Sequence, residues 1–333
     1  MSKNDPHDHL FRSVFSQPEQ ASAWLTTVLP AAVSGRVEWS SLAVRPGSFI
    51  DESLRERETD LLFSASWDDG RGCLVYVLLE HQSTRDLRMP WRMLRYMVRI
   101  WEQWTADHPE WRQLPVILPV VVYHGEQPWG SQPFQYLLDA HPKAIHAASR
   151  YIPDFEYKLV DLMVVHDEDI DGPALARMTL RLLKHYQPGS DLWQWFFQWG
   201  ALFNEIDQQS GHDALRRIFN YLVQVNQQYP DEQVFQEFIS ASLEDSTAQE
   251  VLMNAAQDLQ ERGRKIGREE GREEGREEIL SGQRALFLRM LERKFGAATL
   301  EHAALVQGAG AEQLAEWMLR VLDANTPGQI FGV

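Results

Sequence analysis

The chain has 333 residues, 44% of them hydrophobic, with 12 tryptophans and 15 phenylalanines; this is apolar mass for one large core with appendages or for two domains, and it excludes a disordered chain. A single cysteine, Cys73, excludes an internal disulfide, and no basic-then-apolar leader or apolar run approaching 18 residues is present, so a cytoplasmic protein with no membrane partner is expected. The net charge of −16 opposes non-specific nucleic-acid binding but is uneven: residues 1–150 carry −3, 151–230 carry −5, 231–280 carry −8, and 281–333 are neutral.

Asp5-Pro6 is a helix start, an acid at the cap followed by proline at the first helical position. Leu10, Phe11, Val14 and Phe15, then Trp24, Leu25 and Val28, mark one or two helices. Residues 36–50 and 58–67 read as strands, and Asp68-Asp69-Gly70 as the turn into a third strand over 73–82. A helix over 88–107, closed by Pro109, leads to a buried strand over 115–124 and a later one from Glu156 to Val165. From residue 173 the pattern turns helical, over 173–186, 191–209, 212–228 and 231–243. The aromatic cluster Trp193, Trp195, Phe196, Phe197 and Trp199 is either core or interface, which its density favours, or a base-stacking platform, which needs exposed rings. Cys73, at the start of a buried strand, reads as a packing residue.

Residues 246–280 read as one helix carrying Gly267-Arg-Glu-Glu, Gly271-Arg-Glu-Glu and Gly275-Arg-Glu-Glu. A four-residue repeat drifts only about 40° per unit on a 3.6-residue helix, so the glycines form a slowly winding stripe at roughly 1 kcal/mol each relative to alanine. The segment is either a solvated charged linker or a helix on which a second copy closes, giving a homo-oligomer. Leu286 to Phe295 and Leu314 to Leu322 then form a small helical module.

The chemistry concentrates between Glu58 and Gln82. Asp60 stands at one strand, and the apolar run Leu74 to Leu79 ends in Glu80-His81-Gln82. Alternation puts Glu80 and Gln82 on one face and His81 on the other. A carboxylate at the end of a strand that is apolar on both faces costs several kcal/mol unless it is paired, and a divalent cation shared with Asp60 would pair it. Glu58 shares the face of Asp60 and is either a further metal contact or a surface acid. On the helix that follows, Arg85, Arg88, Arg92, Arg95 and Arg99 are spaced 3, 4, 3 and 4, beside an apolar ridge of Met89, Met93, Tyr96, Met97, Ile100 and Trp104. These arginines either contact phosphates or pair with Glu102, Asp107 and Glu110.

An Asp followed about twenty residues later by Glu-x-Gln, a basic helix and a Pro-rich strand ending Tyr123-His124-Gly125 resembles the recombination-promoting nuclease (Rpn) family, also called YhgA-like transposases, of the PD-(D/E)XK nuclease superfamily. The opening Asp5 to Phe15 resembles that family's first helix, and the likeness covers about residues 5 to 245. It implies an α/β fold with a restriction-endonuclease-like core, a mixed central sheet flanked by helices, followed by an all-helical C-terminal region. The organisation expected is a nuclease core over 1–170, a helical extension over 171–245, a charged helical linker over 246–280 and a helical module over 281–333.

The resemblance further implies a Mg2+-dependent DNA endonuclease linked to recombination or mobile elements. Asp60 and Glu80 would hold the metal and Gln82 would act beside them, with Arg88, Arg92, Arg95 and Arg99 on DNA phosphates. Asp8 is either a further ligand, as the superfamily's first helix sometimes supplies, or an acid matched to the helix dipole. His124 either backs the site or is a hydrogen-bonded structural histidine. The wider superfamily has Lys where Gln82 stands and Pro where Thr59 stands; Gln82 donates hydrogen bonds but adds no charge. The alternative is a catalytically weak or inactive protein that binds DNA or oligomerises. A transposase would need a third well-spaced acid, which the sequence does not offer.

Overall fold

The computed structural model describes residues 5–45, 61–80, 86–125, 127–187, 189, 191–226, 230–296 and 300–331, with the backbone alone for residues 76–80, 258–267, 269–270, 274 and 300–301. The chain forms two compact units, Met1–Ala255 and Ala256–Val333.

The first unit opens with helices α1 (Pro6–Phe15), α2 (Pro18–Val28) and α3 (Ala31–Ser34). Asp5 caps α1, its side chain accepting the His7 N–H at 2.9 Å, with Pro6 in the first turn as its fixed φ favours. Strands β1 (Val37–Val44), β2 (Leu61–Trp67) and β3 (Gly72–Glu80) follow, then α4 (Met89–Asp107) and β4 (Val116–Tyr123). The β2–β3 turn passes through Gly70 at φ 81°, a left-handed position that glycine enters without steric cost. After α5 (Pro142–Ala147) comes β5 (Lys158–Asp161), and α6 (Ala174–His185), α7 (Trp193–Gln198), α8 (Ala201–Ser210), α9 (His212–Val225) and α10 (Glu232–Ser242) complete the set.

The five strands make one mixed sheet in the order β1-β2-β3-β4-β5. β1, β2 and β3 pair antiparallel, while β3–β4 and β4–β5 are parallel. A parallel pair requires a crossover, and α4 supplies it between β3 and β4. The apolar ridge of α4 packs where its spacing predicts: Met89, Met93, Tyr96, Met97 and Ile100 are buried against Leu62, Leu74, Ile117, Val121 and Tyr123. Neighbouring strand positions turn to the other face, where Phe63, Val75, Val120 and Val122 are also buried. Helices cover the sheet on both sides, which explains why its central strands are apolar on both faces. Cys73 is a buried free thiol, and desolvation pushes its pKa up to about 11, so it packs rather than reacts.

Three element boundaries differ from the sequence reading. The strand expected over 156–165 is only Lys158–Asp161, because the Asp161 carboxylate turns back to accept the Met163 N–H at 2.9 Å and closes a turn. The helix expected over 191–209 breaks at Trp199-Gly200 into α7 and α8. A Cβ on Gly200 would stand 2.7 Å from Ser242 Oγ and 3.3 Å from the Phe238 ring, so glycine here permits close approach of α10. Finally, the helix expected to stop at 280 is a single α11 (Ser246–Phe295) that runs on through Ser281-Gly282. The cost of one glycine, about 1 kcal/mol, is small beside the strong helix formers on either side.

The aromatic cluster is core. Trp193, Phe196 and Trp199 are buried, Phe196 and Phe203 rings lie 4.5 Å apart, and Phe197 lies 4.8 Å from Phe238.

The second unit joins the end of α11 to α12 (Leu300–Gly308), α13 (Ala311–Asp323) and α14 (Gly328–Phe331). Phe287, Leu291, Val306, Leu314, Trp317, Val321 and Ile330 form its core. Lys294 Nζ donates to the Val321 and Leu322 carbonyls at 2.6 and 2.8 Å, satisfying acceptors that the end of α13 leaves open. Among the described residues, no helix is long and apolar enough to cross a membrane.

Candidate functional site

In an open sheet with parallel strands, ligands bind beyond the carboxyl ends of those strands. Here β3, β4 and β5 end together: Glu80 is in register with Tyr123, and Tyr123 with Asp161. β2 runs the opposite way and begins at Leu61, which pairs with Val77 three positions before the end of β3. The start of β2 and the end of β3 are therefore neighbours at one rim. Asp60, Glu58, Gln82 and Thr59 lie outside the described residues, as do His81 and Arg85, and of Glu80 the backbone position alone is described.

The remaining candidates divide between the two faces of the sheet. Tyr123 belongs to the core under α4, whereas His124, one residue on, is buried on the opposite side near His7 of α1, with ring centroids 5.8 Å apart. His7 Nδ1 lies 2.8 Å from the Tyr221 hydroxyl of α9, and its ring lies 4.1 Å from that of Tyr186. Burial, reinforced by the neighbouring Tyr186 and Asp5, raises the Tyr221 pKa well above its ordinary value. His124 thus joins a buried polar junction that holds α1, β4, the end of α6 and α9 together. Asp8, half-buried, lies in the first turn of α1.

Asp161, which the sequence reading passes over, is a carboxylate whose side chain is described at this rim. It is buried, and its two oxygens accept the Trp129 N–H at 2.5 Å and the Met163 N–H at 2.9 Å. Both oxygens are engaged by the backbone, which makes Asp161 a structural acid.

α4 carries the basic face. Arg88 is its cap residue and is exposed, as is Arg95. Arg92 is held by Asp86 at 3.0 Å with both side chains largely buried, and the same Asp86 accepts the Arg88 backbone N–H. Arg99 pairs with Glu102 at 3.0 Å in the open, where such a pair contributes about 0–1 kcal/mol and is easily exchanged. The arginine row thus splits into an anchored Arg92, a loosely paired Arg99, and Arg88 and Arg95 with no ion pair among the described residues.

Two further clusters of ionisable groups are invisible in the sequence because their members are far apart along it. Asp207, His212 and Asp245 bring ligand atoms within 4.8 Å of one another, the one such metal-ligating set among the described residues. His212 Nδ1 lies 2.5 Å from Asp207 and its Nε2 3.8 Å from Asp245, so each carboxylate faces a different ring nitrogen. The two ring nitrogens of an imidazole point in diverging directions, so this arrangement favours a clamp in which His212 hydrogen-bonds Asp207 and makes a longer electrostatic contact with Asp245, tying α8 to α9 and the start of α11. In the second cluster, Asp167 accepts from Lys184 Nζ at 2.6 Å and His185 Nε2 at 2.9 Å, and His185 stacks on Trp195 at 3.8 Å. Burial raises Asp167, but the hydrogen bonds from Lys184 and His185 outweigh it and hold it below the usual carboxylate value. Burial also lowers His185, more than its bond to Asp167 raises it.

A mixed five-stranded α/β sheet with a parallel β3–α4–β4 unit, a basic crossover helix and acids at the carboxyl rim defines the class of fold. The chain belongs to the family described as "Putative transposase, YhgA-like", which matches residues 5–213. It is 29% identical to recombination-promoting nuclease RpnD of Escherichia coli O157:H7 over 71% of this chain and 86% of that protein. It is also 29% identical to recombination-promoting nuclease RpnA of Escherichia coli K12, over 78% of this chain and 85% of that protein. Another relative, 30% identical over 88% of this chain and 91% of its own length, is the inactive recombination-promoting nuclease-like protein RpnE of Escherichia coli K12. No solved structure matches.

Proposed function

We propose that this chain is a divalent-metal-dependent DNA endonuclease of the PD-(D/E)XK type, acting in recombination or on mobile elements. The observation that carries the reading is the strand register, which sets the start of β2 beside the end of β3 and the end of β3 beside Tyr123 of β4. The reading requires the β2–β3 ladder to continue one step past Leu61 and Val77. Positions 60 and 80 then become diagonal cross-strand neighbours, about 7–8 Å apart and on one face, a span over which two carboxylates can share one cation. The donor set fits the ion, since Asp60 and Glu80, with Glu58 and Asp8 as further oxygen ligands, offer the hard ligands that Mg2+ prefers. When bound, such an ion lowers the pKa of an attacking water and offsets charge developing on the scissile phosphate.

The protein's own groups do the rest. Gln82 donates hydrogen bonds that orient the water or a phosphate oxygen, without the positive charge of a lysine. Arg88 and Arg95, with Arg99 and Arg92 behind them, hold the DNA backbone by charge-assisted hydrogen bonds and fix its position against the rim. His124 supports the rim from the far face through the junction with His7. The Gly-Arg-Glu-Glu stretch of α11 leaves open space where a Cβ on Gly271 or Gly275 would stand, which suits closure on a second copy of the chain.

The test is nicking of supercoiled plasmid with Mg2+ and with a chelator. Wild-type protein converts the plasmid to open circle in Mg2+ alone, and Asp60→Ala and Glu80→Ala each lose at least about 100-fold in rate. Cleavage that persists in both variants removes the assignment.

A second reading is favoured by the inactive relative RpnE: a protein that binds DNA without turnover. It predicts metal-independent binding with no cleavage under any divalent ion.

A further inference from the structure

The face of α4 turned away from the sheet carries more than arginine. Trp91 is 49% exposed, although a tryptophan of this size gains more than other side chains from burial. It lies two residues from the buried Met89, on the side of the helix opposite the ridge that packs on the sheet. Arg88 stands three residues before it and Arg95 four residues after, so all three side chains share one stripe. Val98, seven residues after Trp91, extends the stripe and is also exposed, as is Leu87 in the turn before the helix. Between Asp86 and Glu102 the segment carries four arginines against two acids, in a chain of net charge −16. This apolar ring is therefore framed by cationic side chains, a pattern that fits an anionic polymer with flat apolar faces better than an apolar protein partner.

The position is equally specific. β3 ends at Glu80, and α4, which begins at Met89, packs its first turn in the same core as Tyr123, the register partner of Glu80. Trp91 is thus carried on the outer side of the helix turn that packs beside the carboxyl ends of β3 and β4. A base can reach an exposed indole only if it is unstacked from its own neighbours, which an intact duplex does not allow. Single strands meet that condition, as do the unpaired bases of a junction or loop, and every base offers a face to stack regardless of sequence.

We propose that Trp91 is a base-stacking residue, flanked by Arg88 and Arg95 as phosphate contacts, and that the preferred ligand of this face is DNA containing unpaired bases. This rests on the nuclease reading for its site but concerns which DNA is held. Trp91 touches the substrate away from the reacting phosphate, so it sets affinity and positioning rather than the chemical step.

The experiment is fluorescence anisotropy of the full chain in chelator with a labelled 20-nucleotide single strand and the corresponding blunt duplex. Wild-type protein is expected to bind the single strand more tightly than the duplex. Trp91→Ala weakens single-strand binding by about 5- to 100-fold, leaves duplex binding nearly unchanged and changes the melting temperature little, since the residue lies outside the core and is half-exposed. Trp91→Phe, which keeps a stacking face, recovers most of the loss. Arg95→Gln weakens binding to both DNAs and lowers the salt dependence of each.

Equal affinity of wild type and Trp91→Ala for the single strand overturns the proposal, as does equal loss on both DNAs. Plasmid nicking measured beside it separates the two levels. Nicking that depends on Asp60, together with Trp91→Ala binding like wild type, sinks the stacking role and leaves the nuclease reading standing. Stacking-dependent binding without any nicking supports Trp91 and rejects the nuclease. A wild-type protein that neither nicks nor binds rejects both.

Discussion

α4 and α11 are both long helices with arginine at a regular interval, and the comparison shows that the interval alone does not make a nucleic-acid surface. On α4 the arginines stand at 88, 92, 95 and 99 with Asp86 and Glu102 as the acids of that stretch, and a methionine ridge fixes the helix to the sheet. On α11 each arginine of the repeat comes with two glutamates, so every Gly-Arg-Glu-Glu unit is net negative. A phosphate backbone is attracted to the first and repelled by the second. Glycines differ between regions in the same way: Gly200 is enclosed by Ser242 and Phe238, whereas Gly271 and Gly275 face open space.

The largest effect that separates the two helices is on DNA binding. Arg88→Gln combined with Arg95→Gln should lower affinity roughly 10-fold near physiological salt and reduce the salt slope by about 2. Arg272→Gln combined with Arg276→Gln should leave both unchanged; a titration of anisotropy against salt checks this. Next in size is the packed glycine. Gly200→Ala forces a Cβ into Ser242 and Phe238 and should destabilise the first unit by about 1–3 kcal/mol in denaturant unfolding. By contrast, Gly271→Ala and Gly275→Ala should each stabilise α11 by roughly 1 kcal/mol, seen as higher helical content by circular dichroism.

The smallest effect is on the pH dependence of the first unit. His185 is held below its ordinary 6.5, so the unfolded chain takes up its proton first, and stability falls as pH drops through that value. Asp167, also held low, contributes stability above its ordinary 3.8 that is lost as pH falls further, toward its depressed folded value. Thermal midpoints measured from pH 7.5 to 5 should decline with acidification, and His185→Gln should flatten that decline.

Much of this was legible in the sequence because it is local. The α4 ridge follows from spacing by three and four, and the central strands from apolar runs of strand length. The Asp5-Pro6 start follows from the chemistry of one cap. What escaped depends on partners distant in sequence. Gly200 breaks a helix because α10 packs there, and β5 stops early because Asp161 caps its own turn and binds Trp129. The clamp of Asp207, His212 and Asp245 spans 38 positions. Of the candidate site, the motif Asp60…Glu80-His81-Gln82 is visible in the chain itself, and the sheet adds the rim toward which β2 and β3 converge. Trp91 escaped for a different reason: spacing sets it off the ridge, but only the structure shows that the ring stays half-exposed there.

The central claim is that Asp60 and Glu80 grip one cation between them. A crystal of the full chain grown or soaked with Mn2+ in place of Mg2+ tests it through anomalous scattering at the metal. The account predicts a peak bridging the carboxylates of Asp60 and Glu80, absent in Glu80→Gln. A well-occupied peak at Asp207, His212 and Asp245 with none at the sheet rim, or a rim peak that survives both Asp60→Asn and Glu80→Gln, would contradict it.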